Sequence, residues 1–123
     1  MSTEFLEHIN KGYTFKGETI RIGSAMLNGQ VVKGAEVHAA LKTLNRHGLI
    51  AGATGTGKTK TLQGMTESLS NAGVPTLVMD MKGDLSGLAA PGNPHPKIDE
   101  RSNLLDLEWK PTAFPSEFLS LSD

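Results

Sequence analysis

The sequence predicts an α/β fold, with a small β-rich segment over residues 1–44 followed by a strand–helix–strand unit with parallel strands over residues 45–123. Three observations carry this expectation. β-forming residues alternate with polar ones around two glycine turns between Tyr13 and Val32; Leu49-Ile50-Ala51 and Thr76-Leu77-Val78-Met79 form short apolar runs; and a glycine-rich loop opens a stretch of helical periodicity between those runs.

Taken in order, YTFKGETIRIG (13–23) reads as a short hairpin turning at Lys16-Gly17. Asn28-Gly29 is the strongest two-residue hairpin signal, because both positions tolerate positive φ, and Val31 and Val32 carry the returning strand. Between Val37 and Leu44, the residues Val37, Ala40, Leu41 and Leu44 fit helical spacing, although the same stretch also fits an extended path across the core. Leu49-Ile50-Ala51 suits a buried strand ended by glycine. Thr59 to Asn71 is a helix with the stripe Leu62, Met65 and Leu69, stopped by Gly73 as a C-terminal cap. Pro75 opens the next strand, Thr76 to Met79, which ends at Asp80, and the crossover between the two strands is right-handed. A loop rich in Gly and Pro follows, then a short helix over Lys97 to Leu107 and a last strand, Phe118 to Leu121.

Composition bounds what this fold does. With 12 basic and 13 acidic side chains the net charge is −1, so there is no general cationic excess of the kind that drives nucleic-acid binding. The absence of cysteine excludes disulfides, thiolate metal sites and thiol nucleophiles, and fits a reducing, cytoplasmic compartment. The opening MSTEFLE is acidic and broken, so neither a leader nor a spanning helix is expected there, and no membrane partner is expected.

Gly52-Ala53-Thr54-Gly55-Thr56-Gly57-Lys58-Thr59 matches the phosphate-loop pattern G-x-x-x-x-G-K-[ST] in full. On this chain's own composition, chance supplies roughly 0.02 such matches. The alternative is an ordinary glycine-rich β-to-α turn, which does not require the Lys-Thr pair. The chemistry accounts for each residue type: Gly52, Gly55 and Gly57 allow positive φ and close backbone approach, so that amides converge on phosphate oxygens. The helix opening at Lys58 adds unpaired amides and the positive end of its dipole. Lys58 reaches the β and γ phosphates, Thr59 ligates Mg²⁺, and Lys60 completes the nucleotide-binding set of residues 52–60. The expected ligands are therefore ATP or another nucleoside triphosphate, and magnesium.

Asp80 ends an apolar strand at the sheet edge where ligands bind. It reads as a Walker B aspartate holding magnesium through water, as a member with Lys82 and Asp84 of a surface that positions nucleotide or a neighbouring subunit, or as an ordinary strand-ending acid.

The runs NRHGLIAGATGTGKTKTLQ (45–63) and VPTLVMDMKGDLSGLAAPG (74–92) resemble the bacterial HerA-like helicase ATPases, especially the YjgR-like branch. The discriminating pieces are Arg46-His47 and the box Asp80-x-Lys82-Gly83-Asp84, and the tail AFPSEFLSL (113–121) is also similar. The resemblance implies a RecA-like P-loop NTPase core, often a homohexamer, coupling ATP hydrolysis to DNA translocation or processing. In such cores another strand lies between the two read here, which argues against Asp80 as the direct magnesium partner. The family also supplies a later strand with a catalytic glutamate, and an arginine finger from a neighbouring subunit. Asp99, Glu100, Asp106, Glu108 and Glu117 do not end apolar strands, and Arg101 reads as a solvated helix residue, so no catalytic residue is assigned. The expectation is an N-terminal part of the family's ATPase, incomplete at its C-terminus or naturally short, that binds ATP and turns it over poorly.

The remaining candidates are weaker. His8, His38, His47 and His95 lack metal-ligand spacing, and Trp109 reads as a packing anchor rather than a base-stacking platform. A non-hydrolysing nucleotide-binding or assembly module, and a small-substrate phosphotransferase, are the competing functional classes.

Overall fold

The computed structural model describes residues 2–120. Its elements are helix α1 (Ser2–Tyr13), strands β1 (Thr19–Leu27) and β2 (Gln30–Ala40), helix α2 (Lys58–Asn71) and helix α3 (Pro96–Leu105), with 3₁₀ turns at Leu41–Thr43 and Ser86–Ala89.

The strongest turn signal in the sequence forms the turn. Asn28 and Gly29 have φ of 51° and 77°, and β1 pairs antiparallel with β2 on either side of them, from Leu27 opposite Gln30 to Thr19 opposite Ala40. Irregularities between Arg21 and Gly23 and between Ser24 and Met26 bend β1. The stretch that fits either a helix or an extended path is extended as far as Ala40, where it pairs with β1, and then closes in a 3₁₀ turn. Chain preceding this hairpin is helical: Phe5, Leu6 and Ile9 form a half-buried stripe, and Glu4 and Lys11 complement the dipole at the two ends. The helix therefore runs through Tyr13, where the sequence predicts an earlier hairpin.

α1 lies on β2 and α2 lies against β1, so the hairpin is the platform for both. Among the described residues the buried apolar residues are Ile20, Ala35 and Ala40 on the hairpin, with Leu85 and Leu88 at the second 3₁₀ turn. Arg21 ties α3 to this platform. Its guanidinium donates to the carbonyls of Leu105 and Asp106 at the C-terminal end of α3, to Ser24 Oγ, and pairs with Glu36 at 2.9 Å.

α2 matches its expected span and ends as expected. Gly73 has φ 74°, the Gly73 amide donates to Ser70 at 3.0 Å and the Val74 amide to Leu69 at 2.9 Å, which is the Schellman pattern. α3 starts at Pro96, capped by His95 Nδ1, which accepts from the Lys97 amide at 3.1 Å.

The structure corrects the predicted fold class. Among the described residues the only sheet is the two-stranded antiparallel hairpin, and there is no parallel sheet and hence no RecA-like core. Residues 49–51 and 76–79 belong to no strand, with Leu49 and Leu77 89% and 84% exposed. The physical reason is pairing geometry. Two runs of three and four residues, separated by a long crossover, offer each other few ladder bonds, whereas β1 and β2 close on a two-residue turn. Residues 118–120 of the expected last strand do not form a strand, and Leu121 lies outside the described residues. Among the described residues no helix is long and apolar enough to cross a membrane.

Arg21→Ala removes charge-assisted bonds to two helix-terminal carbonyls and leaves Glu36 without this partner. We expect a loss of about 1–3 kcal/mol in urea unfolding, and an unchanged midpoint would contradict the tie between α3 and the hairpin.

Candidate functional site

Residues 52–60 come together as a loop running into the N-terminus of α2. Gly55 and Gly57 adopt φ of 81° and 96°, conformations closed to most side chains. Gly52 is required for a different reason: a Cβ there would lie 2.6 Å from Thr56 Oγ1. The carbonyl of Ala53 gathers the loop, accepting from Thr56 Oγ1 at 2.7 Å, from Lys58 Nζ at 2.8 Å and from the Thr56 amide at 3.4 Å.

The start of α2 is uncapped. Gly57 precedes it in a left-handed conformation without a side-chain cap, and the first loop-to-helix bond is from the Thr61 amide to Gly57 at 2.9 Å. Among the described residues, no hydrogen bond takes up the amides of Lys58, Thr59 and Lys60. Unpaired amides, a helix dipole and the Lys58 ammonium thus meet at one point, an arrangement suited to a polyanion. The Thr59 side chain is exposed and makes no hydrogen bond among the described residues.

Asp80, Lys82 and Asp84 lie together on a separate turn. The Asp80 carboxylate organises it, accepting from the Leu85 amide at 2.7 Å and from the Lys82 amide at 3.1 Å. The Leu85 bond is the main cause holding Asp80 below the usual carboxylate range; partial desolvation opposes it, and the Lys82 and Gly83 amides assist. Lys82 and Asp84 are exposed, and among the described residues no hydrogen bond or ion pair joins this turn to residues 52–60. No group of three or more His, Asp or Glu residues suited to a metal occurs among the described residues.

A groove of about 590 Å³ runs beside α2 and shares only Lys60 with residues 52–60. One face of the helix, with Lys60, Gln63, Gly64 and Glu67, forms one wall, and Trp109 and Phe114 contribute to the other. Lys60 Nζ donates to Gln63 Oε1 at 2.9 Å. Burial pushes the Glu67 carboxyl above its usual range, with the Lys60 charge opposing. Trp109 is half-buried, and a Cβ on Gly92 would lie 3.4 Å from its Cζ2. The sequence signal for this groove is the helical spacing of Lys60, Gln63 and Glu67; its opposite wall comes from more than forty residues away.

Because Asp80 is held ionised in the folded state, the stability it contributes is present above the ordinary aspartate pKa of about 3.9 and is lost as pH falls through the lowered folded value. Asp80→Asn should therefore be less stable than the parent at neutral pH, with the gap closing in acid. A gap in urea midpoint that is independent of pH would refute the role of the carboxylate charge.

The comparisons with known proteins are specific at the level of family. Residues 25–123, about four fifths of the chain, match a family model described as helicase HerA-like C-terminal. That description replaces the expectation of an N-terminal part of the family's ATPase. No curated protein and no solved structure gives a significant match. The matched region contains β2, all of α2 and α3, the loop 52–60 and the turn at Asp80. The chain belongs to the helicase HerA-like C-terminal family.

Proposed function

We propose that the chain binds the phosphates of a nucleoside triphosphate, ATP foremost, through residues 52–60, in the setting of a HerA-like helicase or translocase acting on DNA. The observation that carries the reading is the convergence at the start of α2 of positive-φ glycines, unbonded amides and Lys58. A neutral turn of the same shape has no use for the Lys-Thr pair, whereas a triphosphate uses both.

The roles follow from position. The amides of residues 58–60 donate to phosphate oxygens, and Lys58 exchanges its bond to the Ala53 carbonyl for the more negative β and γ oxygens. Thr56 and Gly52 hold the loop open through their close approach. Magnesium fits the donor set at Thr59, a single hydroxyl beside phosphate and water oxygens, and when bound it supplies charge neutralisation across the phosphates. Asp80 is the weaker candidate for magnesium, because no hydrogen bond or ion pair among the described residues joins its turn to residues 52–60.

The finer affiliation with the YjgR-like branch rests on the Asp80-x-Lys82-Gly83-Asp84 box, and a homohexameric assembly and DNA as substrate rest on the family setting. A net charge of −1 places any DNA contact in a local patch or an assembly channel. Binding with little turnover by this chain is the companion reading; it rests on Asp99, Glu100, Asp106, Glu108 and Glu117 not ending apolar strands.

Lys58→Ala removes a charge-assisted contact worth about 1.5–3 kcal/mol, so Mg-ATP affinity by calorimetry is expected to fall about 10- to 150-fold. Equal affinity of variant and parent would remove the phosphate reading.

A further inference from the structure

The groove beside α2 has features that packing does not explain. Gly64 sits within the helix, where glycine costs about 1 kcal/mol relative to alanine, yet a Cβ built there meets nothing within 4 Å. No neighbour therefore demands a glycine at this point, and its bareness leaves space open on the groove side. Glu67, one turn further on, makes no hydrogen bond or ion pair among the described residues although it is half-buried. Trp109, half-buried, lines the far wall with its aromatic ring beside Gly92, where a Cβ would lie 3.4 Å from Cζ2. A volume of about 590 Å³ lies within the range of small-ligand sites.

The position of the groove relates it to the loop. Lys60 belongs both to the start of α2 and to the groove wall. At 1.5 Å rise per residue, Gly64 lies roughly 9 Å along the helix from Lys58, a distance comparable to that between the phosphates and the base of an extended nucleotide. The chemistry of the walls suits such a base: an indole for stacking, the Gln63 amide as donor and acceptor, and the Glu67 carboxyl as acceptor for an exocyclic amine.

We propose that this groove holds the amino-purine base of the nucleotide whose phosphates occupy residues 52–60, with Trp109 as the stacking surface and Gly64 as the opening that admits the ring. The proposal deepens the phosphate reading and rests on it for the placement of the triphosphate. It changes the role of Trp109 from a packing anchor alone to a packing anchor that also meets ligand.

Trp109 is the only tryptophan, so its emission reports directly on the groove. Three probes separate the two halves of the site: ATP spans both, inorganic tripolyphosphate fills the loop alone, and adenosine enters the groove alone. ATP and adenosine are expected to change Trp109 emission, and tripolyphosphate is expected to bind by calorimetry without doing so. Gly64→Leu fills the opening with a better helix former, and should weaken ATP about tenfold or more while leaving tripolyphosphate affinity unchanged. Trp109→Leu should act in the same direction and Trp109→Phe should restore most of the affinity. ATP binding with unaltered emission, and with full affinity in Gly64→Leu, overturns the groove proposal while leaving the phosphate reading in place. Failure of ATP and tripolyphosphate alike, with adenosine still bound, overturns the phosphate reading and the joint nucleotide placement but not a base site.

Discussion

An extended backbone is stable in a folded chain only where its amides and carbonyls find partners, and among the described residues that condition is met in one sheet, the pairing of β1 with β2. The helices take their places from it. α1 covers β2, α2 lies against β1, and Arg21, on β1, holds the end of α3 through the Leu105 and Asp106 carbonyls. The pairing itself depends on a local event, the positive φ of Asn28 and Gly29. The core on this platform is made of Ile20, Ala35 and Ala40, and Arg21 adds a polar tie from β1 to Glu36 on β2 and to the end of α3.

α2 combines a firmly closed end with an open one. At Gly73 the terminal carbonyls are satisfied by the Schellman bonds, so the helix stops within the chain's own resources. At Lys58 no cap is present, and the loop before it spends its hydrogen bonds on the Ala53 carbonyl rather than on the helix amides. The asymmetry leaves donors at the start of α2 and a bare, partly polar face along it. These two features underlie both the phosphate reading and the base groove, and one helix orients both.

What could be read without coordinates follows the range of the interactions involved. The Asn28-Gly29 turn, the span of α2 and its glycine stop are decided by residues within a few positions of each other, and each stands where the sequence places it. Leu49-Ile50-Ala51 and Thr76 to Met79 have strand composition, but a strand is a relation between two segments, and their hydrophobicity cannot name a partner. α1 was hidden by a polar opening whose stripe of Phe5, Leu6 and Ile9 gains its value only against β2. The same distinction divides the candidate site. Residues 52–60 are contiguous and were visible as a motif, whereas Gln63, Gly64, Glu67 and Trp109 form one wall and its opposite only after folding.

Asp80 shows what a residue's place in a pattern leaves open. Set at the end of an apolar run, it has the position of a metal-holding carboxylate, and its two oxygens also accept the amides of Leu85 and Lys82 and shape the turn that presents Lys82 and Asp84. The sequence alone determined the chemistry available at the glycine-rich loop, the hairpin turn, the helix that follows the loop and the family to which these residues belong, because each rests on local conformation or on a contiguous pattern. Tertiary structure decided that the sheet is antiparallel and two-stranded, that Asp80 serves its own turn and that a groove with Trp109 accompanies α2. Those outcomes depend on which distant groups satisfy one another, and covalent order does not specify them position by position.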